Sequence, residues 1–429
     1  MCFDSCVTID SVTGSKHIPA SARIDPSSLQ FHPLSVTAAS KDAKVSVTLF
    51  HLGSIRSYRQ AWVDDSWDSD AQRRLEKAKQ QVELPIMSAL IEHNPSGEKW
   101  LWDLGMCNDL TVLPEFIANG SAKFLDPQLN DHGQLKNVLL KKFNVDSIDK
   151  IGLSGIIFSH VHLDHYGNLL DFPTSLPVFV GPGTMDWVGG GEDAAKRGEK
   201  GLIMFPTRFL TDRTFVEMQD VVNSAVNDKV KSRVKDIKVG PFEKAWDWFG
   251  DGTIIVASAE GHCHGHMALL AKTNSQPKSN YVLLAGDAAH QQALYHPLPP
   301  PLELNKENLC SSSTAEYNHK SYAPETDFRA TPGYFDRSSG KAVTDRAIPQ
   351  DMASCMQDFP DKAMRTLAAL SRLEACADVM VVLAHEIEFV KAVGLQEGAE
   401  IVVDDWQAQG YKDAKIELGK QARGRLVAL

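Results

Sequence analysis

From Val45 to Leu52 apolar and polar residues alternate, with Val45, Val47 and Leu49 on one parity, and this two-residue period predicts a strand that Gly53 ends. Ser66 to Val82 carries charges, capping residues and apolar Ala71, Leu75 and Ala78 at helical spacing, which predicts an exposed helix. Leu84 to Glu92 and Trp100 to Asp103 read as strands joined by the turn Asn94-Pro95-Ser96-Gly97. Further strands are expected at Gly152 to Ser159, at Thr253 to Ser258 after the turn Gly250-Asp251-Gly252, at Tyr281 to Ala285, and at Val379 to Leu383. Met364, Leu367, Ala368 and Leu373 fit a helix before the last of these. Two regions lack a sustained period. Residues 1–44 read as an irregular N-terminal extension, and residues 295–350, rich in Pro, Ser and Asn, as a long insertion that either forms a lid or stays disordered.

The chemistry sits where the strands stop. His160-Val161-His162-Leu163-Asp164-His165 follows an apolar strand and sets two imidazoles two residues apart on one side of an extended segment, with a carboxylate and a third imidazole just beyond. These donor types suit zinc and its first-row neighbours without any thiolate. A chance cluster of core or surface histidines is the plain alternative, and the spacing at a strand end argues against it.

This segment resembles the signature of the metallo-β-lactamase superfamily, His-x-His-x-Asp-His at the C-terminal end of a strand. The later motifs follow in order: Gly261-His262 (Gly265-His266 also fits), Leu283-Leu284-Ala285-Gly286-Asp287, and Leu383-Ala384-His385. The resemblance covers roughly Val45 to Glu388. Within the superfamily the chain is most similar to N-acyl-homoserine-lactone lactonases and related lactone or lactam hydrolases, through Glu83-Leu84-Pro85-Ile86, Trp102-Asp103-Leu104-Gly105 and the Asp at 287.

The resemblance implies an α+β fold, the four-layer αββα metallo-β-lactamase sandwich, as one domain over residues 45–429. It implies two divalent metal ions, zinc before others: His160, His162 and His262 on one, Asp164, His165 and His385 on the other, Asp287 bridging. It also implies ring opening of a lactone or lactam by metal-activated hydroxide, with Asp164 and Asp287 in catalytic positions. His290 stands where the lactonases carry a tyrosine that polarises the substrate carbonyl; it either donates the same hydrogen bond or packs against the insertion. Asp103 is expected to hold loops around the site, and Cys263 to be structural, because neighbouring side chains on an extended loop point apart. His264 and His266 are expected to support ligands or pack. Trp246, Trp248 and Phe249 read as core. Trp62 and Trp67 are candidates for the pocket, with packing the default.

Composition narrows the partners. With 55 acidic against 44 basic residues and a formal charge of −11, and no block of Lys or Arg, nucleic acid is an unfavourable partner, leaving a small molecule. No leader-like apolar stretch or bilayer-length run occurs, so no membrane partner is expected. The 7 cysteines are scattered and odd in number, which reads as a reducing, cytoplasmic setting. A thioesterase of the glyoxalase II type is the alternative activity, although the basic cluster it needs for glutathione or coenzyme A is not seen. A non-catalytic binding protein would show lost ligands, and none is lost.

Overall fold

The computed structural model describes residues 24–34, 42–58, 81–189, 205–221, 230–274, 279–295 and 357–428, with 25, 115–116, 119–121, 123–124, 231 and 358 excepted. It also describes two short strand pairs, 8–9 with 16–17 and 334–336 with 353–355. Thirteen strands of the described residues build two sheets. The first contains β1 (Val45–Tyr58), β2 (Gln81–His93), β3 (Glu98–Trp102), β4 (Leu153–Ile157), β5 (Val178–Val180), β6 (Phe215–Glu217) and the late strand β13 (Glu400–Val402). Their order is β13-β1-β2-β3-β4-β5-β6, antiparallel as far as β3 and parallel beyond it. The second contains β7 (Lys235–Val239), β8 (Phe242–Asp247), β9 (Ile254–Ser258), β10 (Met267–Asn274), β11 (Asn280–Leu284) and β12 (Val379–Val382). They run in the order β12-β11-β10-β9-β8-β7, with only β11 and β12 parallel.

Side-chain parity assigns the layers. Val45, Val47, Leu49, Met87, Ala89, Ile91 and Trp102 of the first sheet share one core with Ile254, Val256, Leu269, Val282, Leu284, Met380 and Val382 of the second. The alternate residues Ile255, Ala257, Leu270, Leu283, Val379 and Val381 face outward, onto α3 (Pro360–Glu374) and its Met364, Leu367 and Leu370. On the other side Leu90, Leu101 and Ile156 meet Leu135, Val138 and Leu139 of α1 (Leu135–Phe143), and the short α2 (Thr184–Gly189) follows β5. The result is helix, sheet, sheet, helix, the expected four layers. Each large side chain withdrawn from water contributes about 1.5–3 kcal/mol. Burial of both faces is why β9, β11 and β12 read as unbroken apolar runs.

Four expectations need correction or fall outside. Gly53 does not end the first strand: β1 continues to Tyr58, and the pairing with β2 shifts register between His51 and Gly53. This is a β-bulge, with Gly53 at φ +141° where a Cβ would lie 2.9 Å from the Gln128 carbonyl oxygen. Of the expected helix Ser66 to Val82, positions 66–80 lie outside the described residues, as do Trp62 and Trp67, while Gln81 and Val82 open β2. The insertion 295–350 lies outside them too, apart from Tyr295 and the strand 334–336. Cys376 is disulfide-bonded, so uniformly reduced cysteines are not what the structure contains. Trp246, Trp248 and Phe249 are buried between the sheets, as expected. In the N-terminal extension, Leu29 and Leu34 are buried in the outer core and His32 bridges to Gly240.

Candidate metal centre

Four separate chain segments deliver side chains to one point. β4 ends at Ile157, and Ser159 is then held by Asp103, whose carboxylate accepts from the Ser159 amide and hydroxyl, both at 2.7 Å. Beyond it the chain turns, the amides of His165 and Tyr166 donating to the His162 carbonyl, and so folds Asp164 and His165 back toward His160. The loop from β9 to β10 carries His262. Its Gly261 sits at φ +138°, and a Cβ there would lie 2.3 Å from the Ala363 backbone of α3, so only glycine lets the loop dock on that helix. The parallel strands β11 and β12 end side by side, which brings Asp287 and His385 together; the Ala384 amide donates to Gly286 at 3.1 Å.

The seven residues expected from the sequence converge. Asp164, His165, Asp287 and His385 form one group whose donor atoms lie within 4.8 Å of one another, and His160, His262 and Asp287 another; Asp287 is common to both. Nδ1 of His162 is 3.0 Å from Nε2 of His160 and 2.9 Å from Nε2 of His262. Two nitrogens on a tetrahedral zinc stand about 3.3 Å apart, so these spacings suit a small cation after slight expansion.

The hydrogen bonds fix which nitrogen of each ring faces inward. His385 donates from Nδ1 to the Pro85 carbonyl at 2.7 Å, and His165 from Nδ1 to Asp103 at 2.9 Å. His160 Nδ1 lies 2.9 Å from the Ser159 hydroxyl, which already gives its proton to Asp103 and so accepts from the ring. Each ring therefore engages its Nδ1 away from the centre and turns Nε2 toward it. Nε2 of His165, Nε2 of His385 and Oδ1 of Asp287 are buried with no hydrogen bond of good geometry, although both nitrogens lie 3.2 to 3.3 Å from that oxygen. Buried polar atoms are rarely left so; a cation between them satisfies all three.

Electrostatics point the same way. Burial, then the neighbouring imidazoles, hold His160 and His262 well below the usual histidine range, so they stay neutral. Burial also disfavours charge on His385, yet Asp287 and Asp164 lift it to about 10. The carboxylates of the centre demand positive charge, which protons or metal ions can supply.

His290 is buried, its Nε2 3.1 Å from Asp287 Oδ2 and its ring nearly parallel to that of His385. His266 is no alternative to His262, because both its nitrogens are engaged: Nδ1 donates to Ala259 and Nε2 accepts from the Asp287 amide. Asp103 holds loops, as its three hydrogen bonds to Ser159 and His165 establish.

No family profile matches the chain. A protein of Penicillium brevicompactum named cytochrome P450 monooxygenase mpaDE′ is 26% identical over 413 residues, which is 94% of this chain but only 38% of that one. The chain thus spans well under half the length of this relative. A γ-lactamase of Gibberella moniliformis is 31% identical over 202 residues, covering 46% of this chain and 74% of the relative. The chain belongs to the metallo-β-lactamase superfamily. An N-acyl homoserine lactonase of Azorhizobium caulinodans is 25% identical over 272 residues, 59% of this chain and 88% of that one.

Some neighbours of this metallo-β-lactamase centre escaped sequence reasoning. His162 is the one half-exposed ligand candidate, so the centre opens on its side, where the Trp187 ring lies 6.0 Å away and 6.2 Å from that of His264. Cys263 was expected to point away, yet its sulfur groups with donor atoms of His160 and His162 within 4.8 Å. The turn at Gly261 breaks the extended geometry on which that expectation rested. Behind the centre, Lys415 is fully buried with Glu374, Glu386 and Tyr295. A lysine in a charged C-terminal segment gives no signal of burial.

Proposed function

We propose that the chain is a two-metal hydrolase that opens a lactone or lactam ring. The observation that carries this is the set of buried, unsatisfied atoms at the centre, His165 Nε2, His385 Nε2 and Asp287 Oδ1, aimed at common points. The γ-lactamase and the N-acyl homoserine lactonase to which the chain is similar supply the substrate class.

In this reading His160, His162 and His262 hold one divalent ion and Asp164, His165 and His385 the other, with Asp287 shared. The nitrogen and oxygen donors suit zinc. Two such ions, when bound, would supply activated water at neutral pH and polarisation of a carbonyl oxygen. The protein's part is orientation. Asp103, Ser159 and the Pro85 carbonyl aim the imidazoles, His266 fixes the Asp287 backbone, and His290 is hydrogen-bonded to the Asp287 carboxylate. Asp164 lies in the same group as His165, Asp287 and His385, within reach of the reacting atoms.

Elemental analysis of the intact protein, followed by ring-opening assays on lactones, lactams and linear thioesters, tests the reading. Two metals per chain and ring opening that stops on chelation and returns with zinc are expected. Turnover of thioesters alone would move the activity to the alternative class, and a protein that binds fewer than two metals refutes the two-ion centre.

A further inference from the structure

Cys263 follows the ligand candidate His262 and is 1% exposed. It sits outside the hydrophobic clusters that fill the two cores of the described residues. The thiol donates to the His264 carbonyl at 3.5 Å. Cys107, by contrast, lies among apolar side chains, and burial pushes its thiol up to about 11. Two further observations point at a ligand. The Cys263 sulfur forms, with ring nitrogens of His160 and His162, a group whose donor atoms are all within 4.8 Å. The same two histidines meet His262 at 2.9 to 3.0 Å. One thiol and two imidazoles therefore gather on the His162 side of the first position, with His262 meeting His162 beyond them.

We infer that Cys263 is a thiolate donor to the cation held by His160, His162 and His262, giving that position a preference for soft divalent ions that nitrogen and oxygen donors alone lack. The inference rests on the metal-site reading of the centre. Zinc bonds sulfur at about 2.3 Å and nitrogen at about 2.0–2.1 Å, so a formed nitrogen–metal–sulfur pair spans about 3.6 Å. Closing from 4.8 Å requires a movement on the order of 1 Å, within the reach of a side-chain rotation. On binding, the S–H bond breaks, the proton passes to solvent, and the sulfur lone pair forms the bond to the cation; no electron is transferred. Thiolate ranks cadmium, zinc and copper(I) above magnesium or manganese.

Cobalt(II) loaded into the full chain reads this directly, because a thiolate ligand gives a sulfur-to-cobalt charge-transfer absorption in the near ultraviolet that imidazole and carboxylate do not. Cobalt content, measured in parallel, separates ligand loss from ion loss. The band should appear in the unaltered protein, vanish in both Cys263→Ser and Cys263→Ala at unchanged cobalt content, and persist in Cys107→Ser. Cobalt bound without the band, or a band that survives both replacements, overturns the inference and leaves the hydrolase reading standing. Failure of the unaltered protein to bind cobalt overturns both.

Discussion

Asp103 and His165 form a buried pair in which the carboxylate Oδ2 accepts from imidazole Nδ1 at 2.9 Å, while Oδ1 takes the Ser159 amide at 2.7 Å. In Asp103→Asn the Ser159 amide keeps an oxygen at the Oδ1 position, so the NH2 falls opposite His165. The imidazole must then accept at Nδ1 and carry its proton on Nε2, the nitrogen needed for a metal. Affinity for the second ion should fall roughly 10- to 100-fold, with the first ion affected less. Stepwise zinc titration measures the two affinities separately; equal loss at both positions would contradict the assignment of His165.

Asp287 is common to both groups of candidate ligands, whereas His385 belongs to one. Asp287→Ala should therefore reduce occupancy at both positions. His385→Ala should deplete mainly the second, retaining about one metal per chain. Elemental analysis after exhaustive dialysis distinguishes them, and identical metal content in the two variants would contradict the bridging role.

The centre was legible in the sequence because each donor follows a strand whose apolar run announces it: Ile156-Ile157-Phe158 before His160, Leu283-Leu284 before Asp287, Val381-Val382-Leu383 before His385. The two sheets were legible for the same reason. The bulge at Gly53 was not, since a glycine after an alternating run marks a strand end and a bulge equally well. The position of Cys263 depends on a positive φ at Gly261 imposed by contact with α3, some hundred residues later in the chain. Burial of Lys415 depends on carboxylates at 374 and 386, which no local pattern connects to it.

His266 is buried with both nitrogens engaged, and burial holds it at about 4 against an ordinary 6.5. A depressed histidine contributes stability that is complete above pH 6.5 and is lost as pH falls toward 4, because the unfolded chain takes up the proton first. The full shift corresponds to about 3 kcal/mol. His266→Gln keeps an acceptor for the Asp287 amide but cannot titrate. Denaturant unfolding of chelated protein at pH 7, 5.5 and 4 should show a shallower loss in the variant; parallel losses would mean that His266 does not carry this dependence.

A cluster of buried charges lies behind the centre. Lys415 lies on α5 (Tyr411–Ala428), which follows the short helix α4 (Ile387–Val393) and β13. Its Nζ is 3.0 Å from Glu374 Oε1 and 3.2 Å from Glu386 Oε1, and it also donates to the Val381 carbonyl. Glu386 in turn accepts from the Leu383 amide and the Tyr295 hydroxyl, and so ties the His385 loop to the segment that leaves Asp287. Burial lifts Glu386 to about 7 even with Lys415 beside it. Lys415→Met strands two buried carboxylates, and breaking such a pair costs about 3–5 kcal/mol. Its unfolding midpoint should drop accordingly, and the second metal should bind more weakly as the His385 loop loosens. Adding Glu374→Gln removes one uncompensated charge and should recover part of the loss, because the two sites are coupled. Thermal unfolding of the single and double variants decides it: strictly additive losses would show that Lys415 is held by packing rather than by its carboxylates.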